Sequence, residues 1–481
     1  MQKKFVNVLF LSVSLSVLSS SIVCAENNKI VLDAEKTVNM AISIYNNGMG
    51  FVRDTREAEL ERGSNFVSFS GVAEQINPES AMLSGEGVSV KEQNYNYNLL
   101  TPYSIVDNSV GETVKTVRYD EKTGREIFSQ AKIIDSVNGR PILQFDYGIE
   151  TDFPGRIVYN KLPENLTSQP SLNVRLKNKT PGKKKLELAY LTNGIRWNAA
   201  YVAEVGKDNV MSLNGWVTID NKSGADFENA SVQLVSGNVN TVQAVVMPRM
   251  YAAPMKALAS DAVMAENAMG GVVPEALGDY YLYELPKRVD VKNNQAKQIS
   301  LFAKENVRFE RVYRARSSLY AGLNLRENEF ENAHPEVVFK LTNSEANGLG
   351  LPLPQGIARF YEKDVKGNML FVGESEFPQL AKGGKAELVS GKSFDVALSG
   401  KLRNVIKLSK ESSEADFEIT FKNAKNESVK VEFEQAFNGN WEIVSESQAS
   451  EKKNASTALW RVEIPANGEK VLTFKSRITA L

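Results

Sequence analysis

The sequence predicts a mainly β protein: several antiparallel β-sandwich or barrel modules in tandem, with one flexible Ala/Met/Gly-rich insertion. Three observations predict it. Apolar residues recur at every second position in short runs, turn-forming dipeptides separate those runs, and long helical periodicity is scarce. Alternate side chains of a strand point to opposite faces, so each run has a dry side and a wet side, the pattern of antiparallel sheets packed on one face.

At the N-terminus, residues 1–25 read as a secretory signal peptide. Lys3 and Lys4 supply the positive end, residues 5–18 an apolar stretch, and Val23-Cys24-Ala25 the short side chains a signal peptidase accepts, with the cut before Glu26. Acylation of Cys24 as a lipoprotein is the alternative, but Val23 stands where lipid-attachment signals have Gly, Ala or Ser. An uncleaved anchor needs a longer apolar run. The expected location is periplasmic or secreted. Removing 25 of the 481 residues leaves 456, and losing Lys3 and Lys4 leaves 55 basic against 58 acidic residues, a formal charge of −3.

Residues 26–110 form an N-terminal β domain, ending in a short helix that Thr101 caps and Pro102 begins. Residues 111–165 carry strands near 114–119, 129–136, 141–145 and 156–159 in quick succession, the spacing of a small β-barrel-like module. Residues 166–409 are a central β-sandwich domain whose insertion, 245–278, brings together Met247, Met250, Met255, Met264 and Met269. An amphipathic helix binding a partner through adaptable methionines is one reading of that insertion. A mobile loop is the other, favoured by Gly270-Gly271 and scattered prolines. Residues 410–481 form a C-terminal β-sandwich domain. There Phe417, Ile419 and Phe421 alternate with Glu418, Thr420 and Lys422, and Val429, Val431 and Phe433 with Lys430, Glu432 and Glu434. Trp460, Val462 and Ile464 continue the pattern, as do Val337, Phe339 and Leu341 earlier. Asn138-Gly139, Asn193-Gly194, Asn438-Gly439 and Asn467-Gly468 are hairpin-turn signals, and Ser223-Gly224 is a further one.

Composition narrows the chemistry. Cys24 is the only cysteine and leaves with the signal, so the exported chain has no disulfide and no thiol, and His334 is its single imidazole. A Ser-His-Asp or Cys-His site therefore has one candidate base, in the loop-like Asn332-Ala333-His334-Pro335. Glu329, Glu331 and Glu336 near it suggest a weak metal site, but two-histidine zinc spacing is impossible and a solvated acidic loop is preferred, so no metal and no cofactor is expected. Gly391-Lys392-Ser393 lacks the upstream glycine of a phosphate loop, where Ala386 stands, and Gly85 with Gly87 lacks the third glycine of a dinucleotide fold. Asp220, Lys222, Gly224, Asp226 and Glu228 have the wrong order for a calcium loop. The one basic run, Lys183-Lys184-Lys185, reads as a solvated turn, so no nucleic acid is expected, and no later segment spans a membrane as an apolar helix. Paired carboxylates remain available because Asp and Glu are abundant.

Several stretches resemble a bacterial family known as domain of unknown function 4139, which also forms part of mucoidy-inhibitor A-like exported proteins. They are Ile44-Tyr45-Asn46-Asn47-Gly48-Met49-Gly50-Phe51-Val52-Arg53-Asp54, Glu92-Gln93-Asn94-Tyr95-Asn96-Tyr97-Asn98-Leu99-Leu100 and Tyr190-Leu191-Thr192-Asn193-Gly194-Ile195-Arg196-Trp197 with Ala200-Tyr201-Val202. Gly215-Trp216-Val217-Thr218, Asn221-Lys222-Ser223-Gly224, Phe227-Glu228-Asn229-Ala230 and Lys297-Gln298 follow. Gly348 to Gly356, with Leu351-Pro352-Leu353-Pro354, then Phe371-Val372-Gly373-Glu374 and Gly391-Lys392-Ser393-Phe394-Asp395-Val396 complete the likeness. The resemblance implies an exported, mainly β protein and no particular reaction. One departure stands out: relatives often have a His-Thr-Pro-type segment where this chain reads Glu376-Phe377-Pro378-Gln379-Leu380.

The shared residues read as architecture, with Trp197 buried in a strand after its turn; the functional alternative is a ligand groove lined by Trp197, Tyr201 and Trp216. Two functions are expected from these readings. The first is an exported envelope protein that binds a protein or glycan without catalysis, by strand addition at an open sheet edge. The second is a carboxylate-dependent hydrolase of envelope polysaccharide. An outer-membrane barrel is excluded, because the outward positions of its short runs carry Glu and Lys.

Overall fold

The computed structural model describes residues 29–163, 166–237, 239–240 and 274–480. The expected signal peptide at 1–25 and residues 245–273 of the expected insertion lie outside the described residues. The fold is mainly β. Its one α-helix among the described residues is Pro102–Asp107, closed by a reciprocal cap: Ser104 N donates to Thr101 Oγ1 (3.0 Å) and Thr101 N to Ser104 Oγ (2.8 Å).

The described residues form two compact units, one drawn from 29–37, 56–72 and 83–187, the other from 38–55, 73–82 and 188–480. The first holds two sheets. One runs in the order Lys29–Leu32, Gly63–Ser70, Ser171–Asn178, Val88–Asn96. Beside its core Arg56 is almost wholly buried, its guanidinium donating to the carbonyls of Leu32 (2.5 Å) and Ser70 (2.7 Å). The other sheet is antiparallel, in the order Gly148–Glu150, Arg140–Phe145, Arg125–Val137, Thr113–Asp120, Arg156–Val158. It has a small core of its own: Val114, Ala131, Ile133, Leu143 and Phe145.

A third sheet is ordered Pro274–Leu277, Tyr280–Glu284, Phe227–Ser236, Thr37–Tyr45, Met49–Leu60, Gly182–Asn193, Met82–Gly85. Residues 274–277, expected to close the flexible insertion, are a strand instead, paired to Tyr280–Glu284 across a turn in which Gly278 takes φ 61°. Backbone pairing imposed by that turn overrides a sequence with no alternation. A larger sheet runs Met369–Phe377, Gly356–Lys363, Ile195–Val205, Val210–Asn221, Gln295–Arg316, Val429–Ala436, Thr457–Ile464, Glu451–Asn454. Residues 295–308 of Gln295–Arg316 lie antiparallel to Val210–Asn221, with Asn306 at φ 58° in the register shift between Leu213 and Met211, and residues 309–316 lie beside Glu336–Thr342 and Val429–Ala436.

The C-terminal sandwich reaches back before residue 410. Val396–Lys407 pairs with Ser412–Asn423, and Tyr313, Ala315 and Leu398 share one core with Phe417, Phe421, Phe433, Trp460 and Phe474. The alternation read from sequence is realised at Phe417, Ile419, Phe421, Val431, Phe433, Trp460, Val462 and Ile464, all buried. Glu432 and Glu434, expected on the wet side, are buried as well, because neighbouring strands bring cations over them.

Of the four Asn-Gly signals only Asn138-Gly139 is a hairpin, joining Arg125–Val137 to Arg140–Phe145 with φ 52° and 73°. Asn193-Gly194, Asn438-Gly439 and Asn467-Gly468 stand where the chain leaves one sheet for another, as does Ser223-Gly224. A positive φ serves a corner as well as a hairpin, so the dipeptide does not distinguish them.

A recurring corner device was not foreseen. Strands ending at Asn178, Asn221, Thr342 and Asn423 are each closed by a buried asparagine, at 178, 221, 343 and 423. The Asn221 amide donates to Ala225 O (2.9 Å) and Val291 O (3.0 Å) while its oxygen accepts from Ser223 N (3.0 Å). Asn423 donates to Glu427 O (2.8 Å) and Pro465 O (2.9 Å), and accepts from Lys425 N (3.0 Å). Each side chain thus substitutes for a ladder that ends where the chain turns away.

Candidate functional site

Trp197 and Tyr201 lie four residues apart on Ile195–Val205 and point to the same, buried face; both are fully enclosed. Trp197 Nε1 donates to Val235 O (3.2 Å), and its ring meets Tyr283 edge-on at 6.1 Å. Tyr201 packs on Phe377 at 4.3 Å and Phe302 at 6.1 Å. Gly215, directly opposite Tyr201, makes room for this: a Cβ there would sit 2.5 Å from the Phe302 ring. Trp216 is half-buried and, paired with Ala200, projects from the other face. The structure therefore brings Trp197 and Tyr201 together and separates Trp216 from both, so the three do not line one groove.

What Tyr201 does is specific. Leu351-Pro352-Leu353-Pro354 has two residues with no N–H, and its carbonyls are satisfied one by one. Asn343 Nδ2 donates to Leu351 O (2.8 Å), Tyr283 Oη to Pro352 O (3.3 Å), Leu380 N to Leu353 O (2.9 Å), and Tyr201 Oη to Pro354 O (2.5 Å). Leu353 N returns a bond to Leu380 O (2.9 Å), and Gly350 N donates to Asn343 Oδ1 (2.9 Å). Gly356 then meets Ala199 so closely that a Cβ would lie 2.2 Å from Ala199 O. Burial, with a smaller contribution from Tyr283, holds the Tyr201 hydroxyl far above the usual phenol range; burial does the same to Tyr283. Both stay protonated donors. Tyr201→Phe removes one of them and strands Pro354 O, so it is expected to cost about 1–3 kcal/mol in denaturant unfolding of the protein. A change below about 0.5 kcal/mol would mean that the segment is held without it.

An ionisable cluster gathers around Arg314, whose strand neighbours Tyr313 and Ala315 belong to the C-terminal core. Arg314, on Gln295–Arg316, contacts Glu387 (2.8 Å), Glu432 (3.3 Å) and Glu434 (3.4 Å). Lys340 reaches Glu432 (2.5 Å) and Glu387 (3.5 Å); Lys453 reaches Glu434 (2.5 Å), and Arg461 reaches Glu432 (3.6 Å). Register explains the alternation of charge: Lys340 stands opposite Glu387, and Glu432 between Arg314 and Arg461. Burial pushes the Glu432 carboxyl up, but the hydrogen bond and charge of Lys340, then those of Arg314, outweigh it and hold it below the usual range. Glu432 is thus an anion near neutral pH, not a proton donor there. A cleft of about 470 Å³ beside this cluster is lined by Arg308, Glu310, Lys340, Lys385 and Glu387, of mixed charge.

The remaining motifs resolve as structure. His334 Nδ1 lies 3.2 Å from Val396 O. Ser393 of Gly391-Lys392-Ser393 accepts from Val396 N (3.1 Å) and donates its own N–H to Pro335 O (2.9 Å), making a turn. Asp226 accepts from Asn293 N (2.8 Å) and meets Lys292 (3.4 Å), which also bridges Glu228. Among the described residues no three His, Cys, Asp or Glu side chains are placed to hold a metal ion. No helix among them is long and apolar enough to cross a membrane.

One surface is different in kind. Met369–Phe377 ends its sheet, and its first four residues, Met369, Leu370, Phe371 and Val372, are exposed in succession, with Val365 fully exposed in the turn before them. Beyond them Gly373 lies against Ser390, where a Cβ would come within 1.8 Å of the Ser390 carbonyl. The apolar part is therefore the free end of the Gly356–Lys363/Met369–Phe377 hairpin.

Fold and site together define an all-β protein of two multi-sheet units whose aromatic and ionic clusters brace corners and cores. The family profile described as domain of unknown function (DUF4139) matches residues 186–480, and the chain belongs to that family. No curated protein matches it.

Proposed function

We propose that this is an exported cell-envelope protein that acts by binding, and that the open edge at Met369–Val372 receives an extended segment of a protein partner. The observation that carries the reading is that edge: four consecutive apolar side chains beside a strand end that the sheet leaves uncapped. Native sheets blunt such edges with charge or cover them, and a peptide strand supplies both the backbone bonds and the apolar contacts the edge offers. The N-terminal signal pattern and the resemblance to mucoidy-inhibitor A-like exported proteins support the periplasmic or secreted location. The alternative, hydrolysis of envelope polysaccharide by a carboxylate pair, asks for a carboxyl held protonated near neutrality. Glu57, Asp120, Glu150, Glu345, Asp364 and Glu432 are each shifted down instead.

The test is in-cell photo-crosslinking in the source bacterium, with the crosslinker at Phe371 and, as control, at exposed Lys410. A discrete protein adduct from Phe371 alone is expected, lost in Leu370→Lys without a change in melting temperature. Equal labelling at both positions, no adduct, or mature protein in the cytosol overturns the reading.

A further inference from the structure

We infer that the first unit carries a glycan-binding subsite at the end of its small sheet, built on Tyr147, Arg118 and Glu150 and shaped for the apolar face of a neutral pyranose. The inference rests on a different surface from the protein-binding edge and needs only that the protein acts by binding.

The core of the Arg125–Val137 sheet is formed by inward positions. Val114 stands opposite Ala131, and Ile133 opposite Leu143. The inward face continues beyond that core. Thr116 follows opposite Ser129, then Arg118 opposite Ile127, while Glu150 stands opposite Leu143. A core position so extended is normally filled or polar; here Ile127 is 49% exposed and faces solvent. Asp146 and Tyr147 make the two-residue turn between Arg140–Phe145 and Gly148–Glu150, and the Tyr147 side chain is 68% exposed.

The exposed ring is nonetheless held at both ends. One face stacks on Phe145 at 5.0 Å and 13°, and Phe145 itself is buried against Phe153 at 5.7 Å. The hydroxyl donates to Glu150 Oε1 (2.9 Å). Glu150 accepts from Arg118 Nη2 through both oxygens (2.9 Å each), and the Arg118 guanidinium lies 5.1 Å over the Phe153 ring. The result is a flat aromatic surface fixed in orientation, with its outer face bare, next to a rigid guanidinium–carboxylate pair. Arg118 Nη2 is committed to Glu150, which leaves the Nε and Nη1 hydrogens, together with unused carboxylate lone pairs, at the ring's edge.

That combination matches one ligand chemistry. A pyranose offers a patch of C–H groups to stack on an aromatic face and a rim of hydroxyls that both donate and accept. Ordering the ring in advance lowers the entropy lost on binding. The Arg118–Glu150 pair is charge-balanced, so it does not select an acidic sugar or a phosphate, and the ligand class is a neutral hexose or N-acetylhexosamine unit of an envelope polysaccharide.

The test titrates the full exported chain with neutral hexasaccharides — chitohexaose, cellohexaose and isomaltohexaose — by calorimetry. At least one is expected to bind. Tyr147→Ala is expected to weaken it about tenfold or more, the scale of a lost aromatic contact plus its hydrogen bond. Tyr147→Phe, which keeps the stacking face, should lose about threefold or less. Arg118→Gln should weaken binding with the ring still in place. Tyr147 is a surface residue, and melting of each variant monitors folding. The inference is overturned if none of the three sugars binds, if Tyr147→Ala binds as well as the parent, or if the site takes peptides and no sugar. Crosslinking through Phe371 in the Tyr147→Ala background keeps the two proposals apart. An adduct that persists in this variant while its sugar binding is lost shows two separate surfaces, whereas a parent chain that gives the adduct but binds none of the sugars removes this subsite and leaves the protein-binding edge standing.

Discussion

Replacing Trp197 with alanine is expected to cost about 4 kcal/mol of stability, the largest loss foreseen for a single aromatic substitution here. The indole is fully enclosed, so truncation leaves a cavity that its neighbours fill only in part. It also removes the donor for Val235 O, a buried carbonyl on a strand of the other sheet, and the edge-on contact with Tyr283. Tyr283 in turn holds Pro352 O, so the damage spreads to the proline segment. Trp197→Phe retains most of the volume and should lose about half as much. Guanidinium unfolding of the protein followed by circular dichroism is the measurement. Since native domains are stable by about 5–15 kcal/mol, the alanine variant should begin to unfold at markedly lower denaturant. A loss below about 1 kcal/mol would mean that the ring is not packed as described.

Arg314→Met is the second. Removing the central cation leaves Glu432 and Glu434 buried with less compensation, and breaking such a pair from one side costs about 3–5 kcal/mol. The pH dependence identifies the cause. Glu432 titrates below its ordinary 4.5 in the folded protein, so the unfolded chain binds its proton first as pH falls. Its contribution to stability is therefore complete above that ordinary value and is lost as pH drops through the folded one. Without Arg314 the depression shrinks, leaving Lys340 as the main partner. The gap between parent and variant should be full at pH 7 and narrower near pH 4, read as urea midpoints at the two values. Lys340 and Arg461 remain beside Glu432 in the variant, so the cluster does not empty of cations. A gap independent of pH would assign the loss to packing of the arginine stem. Replacing Arg314 and Glu432 together by apolar residues should recover part of the loss, because it removes the stranded charge as well as its partner.

Much of this was legible in the residues and some of it was not. Phe417, Ile419 and Phe421 face the core as their alternation requires, and the Thr101 cap forms as Thr-Pro predicts. Glu432 and Glu434 obey the same alternation and yet are buried, because their outward face is covered by Arg314 and Lys340 from strands more than 90 residues away in sequence. The candidate trio of Trp197, Tyr201 and Trp216 divides for a related reason. Spacing along one strand assigns Trp197 and Tyr201 to a common face, but only the pairing of Trp216 with Ala200 puts that residue on the other. The corner asparagines had a visible signal, an alternating run ending in Asn before a small or charged residue, as in Lys422-Asn423-Ala424 and Asp220-Asn221-Lys222. Tyr147 had none: a tyrosine in a turn carries no mark of the phenylalanine beneath it or the ion pair beside it.

Alternation and turn chemistry, which are local, determined the alternating strands, the short helix at Pro102–Asp107 and the mainly β class from the chain alone. Composition likewise left the chain a single imidazole, His334, and a single thiol, Cys24. Tertiary structure decided which strands share a sheet, whether an Asn-Gly is a hairpin or a corner, and which charges are buried. It also decided which aromatic rings brace the interior and which remain bare. The reason is physical: a strand's two faces follow from its own residues, but what covers each face is supplied by strands that only folding brings alongside.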